Sequence, residues 1–486
     1  MKLGFLSFFS TFLFFVFLSF SAAKHNTPLS RRSSKRQLHS RAEPESQAFD
    51  ATSRSVYSDH SADSRLEKRD GTKYVFMHHV FHSFKGCLEL SSDLYTDTYE
   101  YTHDSWLNDF DQIRAKDIDA VALNVGRDTW QSARVQDAYS AAAMVGMSVF
   151  ISFDYTSFDC NIETTVNWVN AYKGLPGQFK INGRPMISSY SGDCLGPDGW
   201  QTIRDQTGGF LMPFIYGNDD QQLKKGSSYG FFDSWYCWGC AWPQGNYNKT
   251  TDDDHYYMNI LESRYATTIS PWMFTHYDSK NFYLRGDDWL LITRWEQLIS
   301  MRDQLTFVEM VTWNDYGESD YFGTGPSSAN SQPSGTTWTD GFPHNGFFDL
   351  SAYYITYFKT GVYPRITKDT VYFWLRPHPA SINAKNDPLP KPEGWDWTSD
   401  TLWAAAFCSS TCNVTLRVGS YSQDFDNLPY GVNKISLPLK ALGNVTVKMS
   451  KNGQEVINHI PSHFQYQEYT DHYNYNAYVG SATTLS

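Results

Sequence analysis

The sequence predicts an α/β fold, a (β/α)8 TIM barrel that is followed by a C-terminal β-sandwich domain. From residue 74 onward, short apolar runs alternate with segments of helical spacing, and eight such runs occur before residue 314. The eighth run, residues 307–313, stops abruptly in a polar patch that holds two carboxylates, Asp315 and Glu318. After Pro364 the short apolar runs continue without helical segments between them, which is typical of an all-β domain.

The barrel is expected between residues 70 and 364. Its eight predicted strands are residues 74–80, 120–124, 148–154, 185–190, 210–216, 231–235, 268–274 and 307–313. The segments of helical spacing are residues 105–116, 132–145, 164–172, 199–206, 255–265, 289–302 and a closing helix at 350–358. The alternation of strand and helix is the pattern of repeated βα units.

The accessory β-domain is expected over residues 365–486. Short strands are predicted at 371–375, 402–407, 414–418, 434–437 and 445–449. Asn452-Gly453 lies between two such runs and is a strong signal for a tight hairpin.

The first 69 residues are predicted to be removed during processing. Residues 1–23 have the basic start, apolar run and small residues of a secretory signal peptide. Residues 24–69 resemble a disordered pro-segment that ends in the dibasic pair Lys68-Arg69; the alternative is a basic tail that stays attached. The expected location is therefore extracellular or in the cell wall, with no membrane anchor after cleavage.

Charge disfavours nucleic acid as a partner. Residues 1–69 hold 11 Lys/Arg and 6 Asp/Glu, so the rest of the chain carries 29 basic against 46 acidic residues, a net charge of −17. A chain with this negative charge repels nucleic acid and anionic membranes, and it is compatible with a neutral polysaccharide as its partner. Aromatic residues make up 17% of the chain, which suits both sugar stacking and a large core. A monomer is expected.

Seven cysteines in a secreted chain suggest disulfides with one thiol left over. Cys237 with Cys240 and Cys408 with Cys412 are each close enough to form a small loop, and Cys160 and Cys194 follow consecutive strands. Cys87 would then be free. Zinc at Cys237 and Cys240 is the alternative, but a second ligand pair at suitable spacing is missing. The sequons at Asn248, Asn413 and Asn444 fit secretion.

Polar and aromatic residues recur just after the predicted strands, where barrel enzymes place their active sites. Asp154 ends the third strand, and Asp315 and Glu318 follow the eighth; these are the candidate catalytic residues. Candidate substrate-binding residues at the same rim are His78, Asn124, Trp235, Trp272, His276, Tyr277, Trp313 and Asn314. Paired carboxylates, one protonated and one ionised, are what hydrolysis of a glycosidic bond requires. An isolated Asp-x-x-Glu is also compatible with a solvated loop, and a strand-end Asp with a helix cap. No cofactor or metal motif is present in the sequence.

Long motifs in a fixed order make the chain resemble the fungal α-1,3-glucanases, or mutanases, of glycoside hydrolase family 71. The motifs that carry the likeness are at residues 118–124, 150–154, 270–277, 285–291, 293–299, 313–319, 363–369 and 376–379. The resemblance implies a barrel with a C-terminal β-sandwich that hydrolyses α-1,3-glucan with inversion and without a cofactor. It implies that Asp154, Asp315 and Glu318 are the essential acids.

Two segments depart from the family pattern, residues 80–101 after the first strand and the cysteine-containing loop 238–243. Both are expected near the cleft, and neither removes an acid. The altered first segment motivates an alternative hypothesis, a wall-associated α-glucan-binding protein with little or no catalysis. The main expectation is a secreted, endo-acting hydrolase.

Overall fold

The computed structural model of the protein describes residues 71–81, 98–217, 219–325 and 337–484. The predicted signal peptide, the pro-segment, Cys87 and most of the unusual 80–101 segment lie outside the described residues. Residues 67–486 belong to one compact unit. In the part of the chain that the structure describes, no helix is long and apolar enough to cross a bilayer.

Eight parallel strands form the main sheet, and each predicted strand has a counterpart in it. The strands are β1 (Tyr74–Val80), β2 (Ala120–Val125), β3 (Val149–Asp154), β5 (Arg184–Tyr190), β6 (Phe210–Phe214), β7 (Trp235–Cys237), β8 (Tyr265–Ile269) and β11 (Phe307–Met310). Their spatial order is β6–β5–β3–β2–β1–β11–β8–β7, and a short β4 (Lys180–Ile181) pairs antiparallel with β5. The predicted α/β class is confirmed.

The two end strands of this order are linked by hydrogen bonds. The N–H of Ser234, just before β7, donates to the carbonyl of Leu211 in β6 at 2.9 Å. The N–H of Leu211 donates to the Asp233 carboxylate at 3.0 Å. Because all eight strands pair in parallel, their carboxyl ends lie at the same edge of the sheet.

Helices separate most of the parallel strands and pack on the outer face of the sheet. They are α1 (His103–Arg114), α2 (Gln131–Val145), α3 (Ile162–Tyr172), α4 (Gly196–Thr207), α5 (Asp252–Leu261), α6 (Leu290–Ser300) and α7 (Asn345–Thr360). Both faces of the strands are buried, as their continuous apolar runs require. The inner face is filled near the amino ends of the strands by contacting aromatic rings, including Phe76, Phe150 and Phe307.

Two predicted strand boundaries were wrong. The run at 231–235 forms turns before it becomes β7, since the N–H groups of Gly230 and Phe232 donate to carbonyls three residues back. The run at 268–274 ends as a parallel strand at Ile269, close to Pro271, which has no N–H for a ladder. Phe274 instead begins an antiparallel hairpin, β9 (Phe274–Tyr277) with β10 (Lys280–Tyr283).

The C-terminal region consists of antiparallel sheets. Its strands are β12 (Thr370–Leu375), β13 (Thr401–Cys408), β14 (Cys412–Val418), β15 (Tyr421–Leu428), β16 (Gly431–Pro438), β17 (Gly443–Lys451), β18 (Gln454–His459), β19 (Gln465–Tyr466) and β20 (Tyr478–Thr483). One sheet has the order β16–β13–β12–β20 and the other β15–β14–β17–β18. Apolar side chains of both sheets, such as Phe373 and Leu416, share one core. Asn452 and Gly453 both have positive φ between β17 and β18, which confirms the predicted hairpin.

Buried contacts join this region to the parallel sheet. The indole of Trp272 donates to the carbonyl of Tyr475 at 2.8 Å, and that of Trp289 donates to the carbonyl of Ala404 at 2.9 Å. The C-terminal segment that carries Tyr475 therefore lies beside the loops that follow β8.

Candidate active site

Asp315 and Glu318 lie on one short turn that follows β11. Asp315 is the N-cap of the 3-10 helix Tyr316–Glu318, and its Oδ1 accepts a hydrogen bond from the N–H of Glu318 at 3.0 Å. The N–H of Asp315 donates to the hydroxyl of Thr312 at 2.8 Å. Both acids are partly buried, so this turn holds two carboxyl groups together at the carboxyl edge of the sheet.

The surroundings of Asp315 favour its protonated form. Burial first, and then the charges of Glu318 and Asp154, raise the pKa of Asp315 to about 8, against the opposing effects of the Lys280 ammonium and of the hydrogen bond from the N–H of Glu318. The carboxyl group of Asp315 therefore carries its proton at neutral pH. A carboxylic acid that stays protonated at neutral pH is suited to donate a proton to a leaving group.

Lys280 forms an ion pair with Glu318. It lies at the start of β10, on the hairpin that follows β8. Burial lowers the pKa of Lys280, but the negative charges of Glu318, Asp315 and Asp320 outweigh burial and raise it overall. Sequence reasoning missed Lys280 because it treated residues 268–274 as a parallel strand; Asp278-Ser279 between two aromatic runs is the hairpin signal that could have found it.

Asp154 is the last residue of β3 and is partly buried. Its Oδ1 accepts hydrogen bonds from the N–H of Thr156 at 3.0 Å and from the Thr156 hydroxyl at 2.6 Å. Its negative charge contributes to the raised pKa of Asp315 and of Tyr190. The structure thus brings the three acids that the sequence indicated into one electrostatic neighbourhood.

Aromatic side chains border this group of acids. Tyr190 at the end of β5 contacts Tyr216 after β6 and Trp238 after β7, with ring centroids 5.9 and 5.0 Å apart. Burial raises the pKa of Tyr190 well above its ordinary value, and the charges of nearby groups, Asp154 and Asp315 among them, add to the rise. Tyr190, Tyr216 and Trp238 are partly exposed, as residues that contact a ligand must be. Tyr190 and Tyr216 were missed as site residues although each ends a predicted strand, whereas Trp238 belongs to the loop 238–243 that was expected near the cleft.

A buried polar pair lies on β1 and β11. Nδ1 of His78 and Oε1 of Glu309 are 2.7 Å apart, and both side chains are 1% exposed. The His78 ring also lies against Trp238, with centroids 4.9 Å apart. Through this ring contact His78 supports the position of Trp238. Sequence reasoning did not predict the contact.

Asp320 is a further acid near the pair, and sequence reasoning missed it. It is fully buried, and Oδ1 accepts a hydrogen bond from the Thr312 hydroxyl at 3.1 Å. Burial raises the pKa of Asp320 well above its ordinary value, and the charges of Asp315 and Glu318 add to the effect. The same Thr312 hydroxyl accepts from the N–H of Asp315, so Asp320 and Asp315 are joined through one side chain.

Five of the predicted substrate-binding residues are core residues in the structure. Trp235 and Trp272 are each 1% exposed and donate their indole N–H groups to the carbonyls of Ile215 and Tyr475. Trp313 packs against Phe348 of α7. Both amide atoms of Asn314 bond to the backbone of Val80, at 2.8 Å each, and Asn124 is buried next to Val80 in the ladder.

Asn314 shapes the rim from inside the protein. By holding the end of β1 to the segment after β11, Asn314 fixes the spacing of the two strand ends.

His276 and Tyr277 lie on the β9–β10 hairpin beside the acids. His276 contacts Asn281 through Nδ1 at 2.7 Å and Asp387 through Nε2 at 2.8 Å. The Tyr277 hydroxyl is 2.7 Å from the position that a Cβ on Gly317 would occupy, so a side chain at residue 317 would collide with it. Gly317 thereby allows the hairpin to approach the turn that carries Asp315 and Glu318.

Disulfides join Cys160 to Cys194, Cys237 to Cys240 and Cys408 to Cys412, which confirms the predicted pairs. The Cys237–Cys240 bridge encloses Trp238. Among the described residues, one group has metal-ligand geometry, Cys240 with Asp253 and Asp254. Since the sulfur of Cys240 is bonded to Cys237, this group offers no thiolate to a metal.

Comparison with known proteins gives curated relatives from fungi. The chain is 30% identical over 398 residues to the glucan endo-1,3-alpha-glucosidase agn1 of Schizosaccharomyces pombe, covering 79% of this chain and 92% of the relative. It is 28% identical over 430 residues to the mutanase Pc12g07500 of Penicillium rubens, covering 86% and 91%. It is 26% identical over 366 residues to an ascus wall endo-1,3-alpha-glucanase of S. pombe, covering 70% and 83%.

A family model matches almost all of the chain that follows the predicted pro-segment. The match spans residues 72–486 and therefore includes the parallel sheet, the turn with Asp315 and Glu318, and the C-terminal sheets. It agrees with the family that the sequence motifs indicated. The chain belongs to glycosyl hydrolase family 71.

Proposed function

We propose that the protein is an endo-acting hydrolase of the α-1,3-glucosidic bonds of fungal cell-wall α-1,3-glucan. The observation that carries the proposal is the turn after β11, where a protonated Asp315 and an ion-paired Glu318 lie together with Asp154 nearby. Family membership supports glycoside hydrolysis, and the names of the three relatives support the α-1,3 linkage.

In the proposed mechanism Asp315 is the general acid. Its proton passes to the glycosidic oxygen as the bond to the anomeric carbon breaks. Glu318 is the general base: it takes a proton from a water molecule that attacks the anomeric carbon from the opposite face. Asp154 stabilises developing positive charge on the sugar or holds this water. The α-linkage would then yield a β-anomer as the first product, which is inversion.

For substrate contact we propose the partly exposed rings of Tyr190, Tyr216 and Trp238, together with the predicted residues His276 and Tyr277. We give the predicted residue His78 a supporting role, because its side chain is 1% exposed and its ring contacts Trp238. Stacking of aromatic rings on sugar faces orients the chain over the acids. We assign Asn124, Trp235, Trp272, Trp313 and Asn314 a supporting role, since their side chains lie in the core. Neither the mechanism nor the binding scheme needs a cofactor.

We further propose that the parallel sheet is a closed (β/α)8 barrel over residues 70–364 and that the C-terminal sheets form a β-sandwich. Support comes from the bonds between the ends of β6 and β7 and from the core shared by the two antiparallel sheets. The predicted signal peptide, processing site and sequons support a secreted monomer that acts outside the cell or in the wall.

Release of reducing sugar from insoluble α-1,3-glucan tests the function. The wild type should release sugar, and Asp315→Asn and Glu318→Gln should each lower the rate by about a hundred- to ten-thousandfold, the usual value of acid–base catalysis. If all three proteins bound glucan equally and none released sugar, the alternative of a wall-associated glucan-binding protein would replace the enzyme.

The anomer formed first tests inversion. Proton NMR of a reaction on a soluble α-1,3-oligomer should show the β-anomer before mutarotation. An initial α-anomer would exclude the inverting roles of Asp315 and Glu318 while leaving the hydrolase assignment in place.

A further inference from the structure

We propose that a cavity between the β9–β10 hairpin and the C-terminal segment 470–474 is a sugar-binding subsite for the glucan chain beyond the acids. The inference rests on the proposed function. It makes the C-terminal region a contributor to substrate binding, with Trp338 and His472 as residues that contact the sugar.

The cavity has the size and lining of a ligand site. Its volume is about 640 Å³, and binding pockets span about 300–1,000 Å³. Aromatic rings of Tyr277, Trp338 and Tyr473 line it together with His276 and His472. Aromatic walls with a few polar groups are typical of sites for carbohydrate rings, which have both apolar faces and hydroxyl edges.

Trp338 lines this cavity and has an indole N–H group that makes no hydrogen bond to the described residues. The residue is 5% exposed. Its backbone is fixed, because the side chain of Asn474 donates to its carbonyl at 3.0 Å. A buried donor without a partner costs free energy, and a hydroxyl oxygen of a sugar in the cavity would satisfy it.

The position of Trp338 distinguishes it from other unpartnered indoles. Trp106, Trp374 and Trp403 also find no partner for the indole N–H within the described part of the chain, but none of them lines this cavity. Trp374, for example, packs against Phe347 beneath the C-terminal sheet. The combination of an unsatisfied donor with a place in the wall of a cavity is what points to a ligand at Trp338.

Charge in the cavity excludes anionic ligands. The lining includes the carboxylates of Asp278, Asp387 and Asp471 and has no Lys or Arg. Asp387 is occupied, since Oδ2 lies 2.8 Å from Nε2 of His276 and accepts from the N–H of Tyr473 at 2.7 Å. A neutral polyhydroxyl chain is the ligand class that fits these groups.

The cavity is connected to the acids through Tyr277. The ring of Tyr277 contacts the ring of Trp338, with centroids 5.2 Å apart. Its hydroxyl lies next to Gly317, in the turn between Asp315 and Glu318. One tyrosine therefore borders both the cavity and the catalytic turn, so a glucan chain that enters the cavity is continuous with the chain over the acids.

Binding of soluble α-1,3-linked glucose oligomers of increasing length tests the subsite. The measurements use full-length Asp315→Asn protein, so that no oligomer is consumed, and calorimetry as the readout. Adding Trp338→Phe should weaken binding of the longer oligomers by about five- to tenfold, the value of one hydrogen bond, and leave the shortest unchanged. The matched control, Trp374→Phe, removes an equally buried and unpartnered indole elsewhere and should leave all affinities unchanged.

A second variant covers the case in which Trp338→Phe does not fold, as judged by circular dichroism. The side chain of His472 is 58% exposed, so His472→Ala preserves the fold and should show the same length-dependent loss. Equal affinities of variant and parent for every oligomer would overturn the subsite, as would a parent that binds no oligomer. Length-dependent binding by a wild type that releases no sugar would overturn the proposed function and leave the subsite intact.

Discussion

The protonation of a single residue, Asp315, sets the alkaline limit of activity. Burial and neighbouring carboxylates raise its pKa to about 8, and a general acid works only while it is protonated. The rate constant kcat/KM for glucan should therefore fall as the pH rises through about 8. A pH series on a soluble oligomer measures this limb. A value of kcat/KM that stays constant from roughly pH 7 to 10, a range that spans this pKa, would contradict the role of Asp315 as the acid.

Lys280 is expected to adjust that limit. Its positive charge lowers the pKa of Asp315, so Lys280→Met should move the alkaline limb to higher pH. The same substitution removes the ion pair of Glu318 and should lower kcat at every pH. Lys434→Met is the control, because Lys434 pairs with Glu296 on the surface at 2.8 Å and should change neither quantity. If the alkaline limb stayed at the same pH in Lys280→Met, the charge of Lys280 would have no effect on the pKa of Asp315.

At the scale of elements, the disulfide after β7 positions an aromatic residue. Cys237 and Cys240 close a small ring around Trp238, which contacts Tyr190 and His78. Replacing both cysteines with serine should lower kcat/KM by about ten- to a hundredfold, because small displacements of positioning groups are costly. Rates on soluble oligomers measure the effect. The matched control, serine at Cys408 and Cys412, breaks the other short bridge and should leave kcat/KM unchanged.

The secondary-structure elements were predicted from the sequence in part. The eight parallel strands and the acids at their ends follow from apolar runs that stop in polar residues. The β9–β10 hairpin was missed because apolar residues occur on both sides of Pro271, up to Phe274. The hydrophobic pattern therefore does not show that the chain reverses its direction after residue 269. β15 was missed because Tyr421–Leu428 is polar and largely exposed. Trp235, Trp272 and Trp313 were predicted to contact substrate at the rim, and their side chains are buried in the structure. The sequence does not distinguish a ring that stacks on sugar from one in the core.

For the whole molecule, a buried histidine limits stability in acid. His378 accepts from the N–H of Asn474 through Nε2 at 3.0 Å and lies 3.0 Å from the carbonyl of Pro379 through Nδ1. Burial and the Arg376 charge lower its pKa from 6.5 to about 4, despite the bond to Pro379. The native state then binds fewer protons than the unfolded state between these values, so stability should be lost as the pH falls from 6.5 towards 4.

Thermal unfolding as a function of pH measures this loss. The melting temperature of the wild type should decline across that window, and His378→Gln, which cannot titrate, should flatten part of the decline. Asn474 lines the proposed sugar subsite, so the same titration acts on a segment that contacts substrate. An identical slope in the two proteins would assign the acid sensitivity to other groups.

The β9–β10 hairpin carries Lys280 to Glu318 and Tyr277 to the cavity at Trp338. With the roles proposed above, this one hairpin affects both the pH range of glycosidic-bond hydrolysis and the length of glucan chain that is bound. A change in the hairpin should therefore alter the two traits together. A variant with a remodelled hairpin should differ from the wild type both in the pH range of its activity and in the length of oligomer that it binds.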